Sequence, residues 1–397
     1  MTVTFKTIQS GVGDCIFLLL KDGEKQFSIM VDCGKYKEPI EQYVSDILGK
    51  RIDLLIVTHI DNDHIEGVKE LLTDSDIKVG RIIFNCYQRN ALGEQRKLNT
   101  YQKERLKAIE KEIGLIVGDI IEHDVDAPEA LKGLAATILG KPALKRVWDR
   151  DYTVSGMQAD LNEWGKITFL SPTMTEIENL DKEFRHVLFD ELNVDNTMGV
   201  WDKKEELYEM LLRYAMIQKP VAGEAREKDV SGADGLEEQL KNAAKLPVDT
   251  DSLSLANKAS LAFVWEKGTH RILIMGDANP DIVSPMLLEH YKGESFPMLF
   301  DAIKVSHHGS HYNTTKELMH LADSKHYFFT GGMEGERPSE EALGRIALCS
   351  MPEGIDKRTL HFNYPTTIVA KLKADKELQQ KYHFEVDTTR NEQVFDL

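Results

Sequence analysis

The chain has little that would place it in a membrane, a disulfide scaffold or a nucleotide-binding loop. Its longest apolar run, Ile16-Phe17-Leu18-Leu19-Leu20, falls far short of the roughly 18 residues needed to cross a bilayer. The opening Met1-Thr2-Val3-Thr4-Phe5-Lys6 lacks the basic start and long apolar stretch of a signal peptide. Only Cys15, Cys33, Cys86 and Cys349 carry thiols, with no Cys-x-x-Cys pair, so reduced cysteines and a cytoplasmic location are expected. A Gly-x-Ser-x-Gly elbow is missing, and no Gly-Lys is followed by Ser or Thr, which argues against a serine hydrolase and a Walker-type loop. Positive charge is also scarce: 49 Lys and Arg stand against 66 Asp and Glu, a net charge of −17 over 397 residues. That balance weighs against broad coating of duplex DNA, which would need a local basic patch, while leaving room for a small phosphodiester drawn to a metal.

What is present is globular. An apolar fraction of 42% with 29% charged residues excludes disorder, and the length suits two or three domains or one domain with insertions. Strand patterns occupy Thr2 to Ile8, Cys15 to Leu20, Phe27 to Val31 and Leu54 to Val57, and helical spacing follows over Ile65 to Leu72. From residue 86 to 165 the texture is charged and helix-leaning. A strand returns at Ile167 to Leu170, followed by a second charged stretch over 176–256, of which Lys219 to Ala256 reads as a mobile loop or lid. Strands resume at Ala259 to Trp265, Arg271 to Met275, Ala302 to Val305 and His326 to Phe329. Strands, helical insertion and strands again predict an α/β sandwich interrupted by accessory segments.

Chemistry concentrates at strand ends. Thr58-His59-Ile60-Asp61-Asn62-Asp63-His64 lies where a buried strand gives way to a helix, and it carries four metal-ligand side chains. His59 and Asp61 suit one ion, Asp63 and His64 a second. Burying such carboxylates without a cation would be costly. Two later strands end in Gly276-Asp277 and in Ser306-His307-His308-Gly309-Ser310-His311, which delivers further ligand types to the same kind of position.

This combination resembles the metallo-β-lactamase superfamily. The hexad is similar to its His-x-His-x-Asp-His motif with Asp61 in the place of the second histidine. Asp32 corresponds to an acidic residue that ends an early strand, Asp277 to the carboxylate that bridges two metals, and His307 or His308 to the last metal-binding histidine. More narrowly, Gly11-Val12-Gly13-Asp14, Leu170-Ser171-Pro172, Asn257-Lys258-Ala259-Ser260-Leu261 and His307-His308-Gly309-Ser310 resemble the hydrolase domain of ComEC-type competence proteins and their free-standing relatives. The resemblance implies an αββα sandwich whose core comprises residues 1–85, 166–175 and 257–397, with 86–165 as a helical insertion and 176–256 as a second, charged one.

Two departures stand out. The superfamily's third metal-binding histidine has no counterpart, since His123 and His186 sit at no evident strand end. Glu336-Arg337-Pro338-Ser339 replaces a Gly-His-Pro-Ser segment common in the ComEC-type relatives, and Arg337 can fork onto a phosphate.

The resemblance implies two divalent ions, zinc or manganese, the second position being the less certain. They would lie about 3.5–4 Å apart around a bridging hydroxide. In that reading Asp277 bridges, Asp63 is the key catalytic ligand, and Asp32 orients a ligand histidine. His311 protonates the leaving group or binds phosphate, and Ser310 adds a donor. The expected activity is a nuclease or phosphodiesterase acting on DNA, RNA or a nucleotide. Hydrolysis of a small ester, thioester or lactone is the alternative enzyme reading. A weakly active or inactive interaction module, with a protein partner on the insertions, is the non-enzymatic one.

Overall fold

The uniformly apolar strand runs are buried on both faces, and the residue alternation within them sorts side chains between three layers of core. The computed structural model describes residues 1–86, 133–186, 208, 209, 212, 235–332, 337–389 and 391–396. Two mixed sheets face each other. The first has six strands in the order Glu392–Asp396, Thr2–Thr7, Ile16–Asp22, Lys25–Val31, Leu54–Val57 and Ile82–Phe84. The second has eight, in the order Phe384–Asp387, Arg358–Phe362, His326–Phe329, Ala302–Lys304, His270–Ile274, Ala262–Lys267, Lys166–Ser171 and Gln158–Asp160.

Between the sheets lies one apolar layer, in which Ile16, Leu18, Ile29 and Ile56 meet Phe169, Phe263, Trp265 and Ile274. Their sequence neighbours point the other way. Phe17, Leu19, Leu55 and Val57 pack under helix Asn62–Thr73 through Ile65, Val68 and Leu71. Leu273, Met275 and Ile303 pack under Val283, Leu287, Leu343 and Ile346 of helices Pro280–His290 and Glu340–Ala347. The result is the helix–sheet–sheet–helix sandwich expected from the sequence. Among the described residues no helix is long and apolar enough to cross a membrane.

Two expectations about the accessory segments need revision. The second sheet begins before residue 166: Gln158–Asp160 forms its edge strand and Trp164 enters the central core. The described part of the supposed mobile loop, residues 235–256, is ordered helix and turn. Helix Leu236–Lys245 buries Leu240 and Ala243 against helix Glu340–Ala347, so closely that a Cβ on Gly344 would stand 2.3 Å from the Leu240 carbonyl. Its Leu236, Leu240 and Ala243 follow helical spacing that a Lys- and Glu-rich composition concealed. Residues 87–132, which include His123 and the expected helix Tyr101 to Ile113, and residues 221–234 lie outside the described set.

Parallel pairing dictates where the site forms. Strands Lys25–Val31, Leu54–Val57 and Ile82–Phe84 run parallel in one sheet. His270–Ile274, Ala302–Lys304 and His326–Phe329 run parallel in the other. Their carboxyl ends deliver Asp32, Thr58 to His64, Asp277, His307 to His308 and Thr330 to one rim. The Gly11 to Asp14 turn closes that rim from below. A Cβ on Gly13 would stand only 1.5 Å from the Asp63 carbonyl, and the same carbonyl accepts from Asp14 N–H at 3.2 Å. Gly13→Ala is therefore expected to destabilise the fold by about 1–3 kcal/mol or more, the cost of overpacking against backbone. A urea midpoint unchanged from the wild type would refute this packing.

Candidate metal centre

The first turn of helix Asn62–Thr73 explains why the hexad's carboxylates are available. Asp61 is the helix N-cap, yet its side chain accepts no cap hydrogen bond. Its Oδ1 is buried without a hydrogen-bond partner among the described residues. A capping residue that does not cap has been given over to something else. Asp61 Oδ2 instead lies 3.5 Å from His59 Nε2.

The segments far apart in sequence meet here. Asp277 Oδ2 is 3.8 Å from His59 Nε2 and 3.4 Å from His307 Nε2, while Asp277 Oδ1 is 3.6 Å from His64 Nε2. Asp63 Oδ2 stands 3.6 Å from His64 Nε2 and 3.2 Å from His308 Nε2. Most of these spacings exceed a good hydrogen bond and match donors sharing an ion, which are about 3.4 Å apart in a tetrahedral site with bonds of about 2.1 Å. The Nε2 atoms of His59 and His64 are buried and have no hydrogen-bond partner among the described residues. Buried imidazole nitrogens left open toward carboxylate oxygens are the donor set a divalent cation requires.

All four rings are held by their other nitrogen. His64 Nδ1 lies 2.8 Å from Asp32 Oδ2, and Asp32 also accepts from Thr58 N–H and Thr58 Oγ1, each at 2.7 Å. With its hydroxyl proton committed to Asp32, Thr58 Oγ1 accepts from His59 Nδ1 at 3.0 Å. Asn313 Nδ2 donates to the Asp277 and Ala278 carbonyls, so its Oδ1 must accept from His307 Nδ1 at 2.9 Å. His308 Nδ1 donates to the Thr330 carbonyl at 3.0 Å. Every Nδ1 therefore carries a proton, which leaves each Nε2 facing the cluster and able to ligate once a cation displaces any proton it holds.

The electrostatics follow. Burial raises the Asp277 carboxyl, but His307, His64 and His308 outweigh it and hold the group well below the usual range. His64 and His308 hold Asp63 low in the same way. Burial depresses His64, yet Asp63, Asp277 and Asp32 lift its imidazole well above its ordinary value. His307 is pushed down to about 3 by burial, against the pull of Asp277 and with help from the Arg337 charge. Backbone strain marks the same place: Asp32, His307 and His308 sit at φ of 57°, 49° and 54°, a region non-glycine residues seldom occupy.

The sequence reading left His307 and His308 as alternatives and found no third histidine. Both rings in fact reach the cluster, and His307 stands beside Asp277 and on the side of His59. His186 lies exposed at the end of helix Met174–His186. Ser310 is 2% exposed and its Oγ accepts from Tyr312 N–H, so this hydroxyl serves the turn. The ring of His311 packs on Tyr312 with centroids 3.8 Å apart. Asp14, Lys304, Asn313 and Thr58 were not singled out from sequence. Lys304 was the most legible of them, as a charge inside an otherwise apolar strand.

Residues 11–134 match the model of the metallo-beta-lactamase superfamily. The match takes in under a third of the chain, and over that stretch the chain is similar to this superfamily. No curated protein matches the sequence. Among solved structures the chain is similar to a mutant of the CmlA beta-hydroxylase, with 10% identity, a TM-score of 0.39, all of this chain aligned and 54% of the other. It is also similar to Zn(2+)-bound PqqB from Methylobacterium extorquens, with 10% identity, a TM-score of 0.36 and full coverage of both chains. The present chain thus spans about half the length of the CmlA chain.

If His307 ligates through Nε2, Asn313→Ala removes the side chain that orients its ring. Zinc affinity is then expected to fall roughly 10–100-fold, as for other residues that orient a ligand, with the fold retained. Competition with a chelating dye measures this, and unchanged affinity would remove His307 from the donor set.

Proposed function

We propose that this protein is a metal-dependent phosphodiesterase, with a nucleic acid strand or a nucleotide as substrate. The observation that carries the reading is the division of Asp277: one oxygen faces His59 and His307, the other faces His64. A carboxylate shared in this way suits two cations, the first held by His59, Asp61, His307 and Asp277, the second by Asp63, His64, His308 and Asp277. Such a pair would clamp a phosphoryl oxygen and ionise a water at neutral pH.

The chain's own groups supply the rest. Side chains of Asp61 and Asp63 are each 25% exposed and that of His307 is 12% exposed, against 2% or less for His59, His64 and Asp277, so substrate approaches over the first three. Arg337 lies near enough to His307 for its charge to bear on the imidazole, which suits a guanidinium forking onto a phosphate at the open face. His311 is the candidate proton donor to the leaving oxygen. The motif resemblance to ComEC-type hydrolase domains supports the same substrate class.

One observation favours a second reading, a small ester, thioester or lactone. A narrow recess against His59 is walled by Ile60, Ile177, Leu180, Ala259, Tyr152 and Tyr208. Its apolar flank suits the non-polar part of a small ester, thioester or lactone better than a phosphodiester backbone, although the space itself is no larger than about one water.

The test offers manganese- or zinc-loaded protein single- and double-stranded DNA, RNA, a chromogenic phosphodiester, and thioester and lactone panels. Phosphodiester cleavage is expected, with Asp63→Ala and Asp277→Asn each lowering kcat by at least about 100-fold, in keeping with loss of charge stabilisation at the reacting centre. Phosphodiester turnover no faster than that of Asp63→Ala ends the phosphodiesterase reading, and selective thioester or lactone turnover would install the second.

A further inference from the structure

Behind the donors lies a buried cation. Lys304 ends strand Ala302–Lys304, and its side chain is 0% exposed. Its ammonium is paired with Asp14 Oδ2, donates to the Gly276 carbonyl at 2.9 Å, and lies 3.8 Å from Asp277 Oδ1. Each contact leads to the cluster. The other oxygen of Asp14 is 3.2 Å from His308 Nδ1 and accepts from Thr330 Oγ1. The Gly276 carbonyl also accepts from His307 N–H at 3.0 Å, and its peptide nitrogen partner, Asp277 N–H, donates to Ser260 Oγ at 3.0 Å. One side chain therefore touches the support of His308, the backbone of His307 and the peptide that aims Asp277.

We propose that Lys304 is a positioning residue for the metal centre: paired with Asp14, it holds His308 and the Gly276–Asp277 peptide in the orientation that brings their donors to Asp63 and His64. The inference rests on the reading of the cluster as a two-ion site and extends it to a residue that touches no ion. A simpler role, charge balance for a buried carboxylate, makes a different forecast. Charge balance is met equally well by removing both partners, whereas aim is not. The two roles also differ in sign. Deleting a cation strengthens the pull of the site on metal ions, whereas misaligning two donors weakens it, by about 10–100-fold for residues that support ligands.

The experiment compares full-length wild type, Lys304→Met and the double variant Asp14→Asn/Lys304→Met. Zinc is titrated against a chelating dye and Co²⁺ binding is followed by its visible absorption, while circular dichroism and urea midpoints report folding. Wild type is expected to take two ions. Lys304→Met is expected to keep one and bind the second about 10–100-fold more weakly. The double variant should regain urea stability while its second ion stays weak. Wild-type affinity for both ions in Lys304→Met, a tighter second ion, or a double variant that recovers the second ion along with stability overturns the proposal. Should Lys304→Met fail to fold, the double variant alone decides on the same criterion. A wild-type chain that takes up no zinc or cobalt overturns the two-ion reading and this inference together, whereas two ions in wild type with no change in either variant overturns the inference alone.

Discussion

Negative charge packed into one rim is the constraint on which the rest of this structure depends. Asp14, Asp32, Asp61, Asp63 and Asp277 each lie within 4.0 Å of a ring nitrogen of His59, His64, His307 or His308. Three of them are essentially inaccessible to water. Against these five carboxylates stands the buried ammonium of Lys304. Once cations displace any imidazolium proton and the four rings are neutral, four negative charges would remain, the amount two divalent cations carry. Proteins tolerate buried carboxylates when they are paired or bound to metal, and four imidazoles beside them make a donor set that would suit a metal.

The fold assembles this rim because parallel strands send their carboxyl ends in one direction. The first sheet has three such strands and the second five, and the apolar layer between the sheets fixes the distance across which donors face each other. No single loop carries the site. Asp63 and His308 are separated by 245 positions in sequence and by 3.2 Å in space. That geometry costs strain at three non-glycine residues, and strain of about 1–3 kcal/mol per residue persists only where surrounding structure enforces it.

The sandwich, the hexad and Asp277 were legible because they follow alternation: apolar residues on both faces of a strand, then ligand types as soon as the strand ends. His307 was legible as a ligand type and illegible as a partner of His59. Along an extended strand, neighbouring side chains point to opposite sides, so sequence reasoning admitted one histidine of the pair and left open which. Left-handed backbone at both residues breaks that rule and turns both rings inward. Asp14 was read from sequence only as part of the Gly11-Val12-Gly13-Asp14 motif, and its place beside the cluster was hidden for a different cause. Its turn precedes the second strand and reaches the rim only through the packing of Gly13 on the Asp63 carbonyl, a tertiary contact with no local signature. Helix Leu236–Lys245 escaped because four of its ten residues are Glu or Lys, a composition that masks a narrow apolar stripe.

The division of labour around each histidine bears on how metal binding and folding are linked. His59 and His64 come from the first sheet's half of the chain and His307 and His308 from the second, while Asp277 faces members of both. Their Nδ1 atoms are fixed by Asp32, Thr58, Asn313 and Thr330, so the Nε2 atoms converge before any ion arrives. An ion taken up here changes few rotamers, and its binding energy passes into the contact between the two halves. The unfolded chain, in which those halves are independent, offers no comparable cage. A cation held here would therefore stabilise the closed sandwich selectively, and the cross-sheet donor arrangement would make it a structural tie between the sheets.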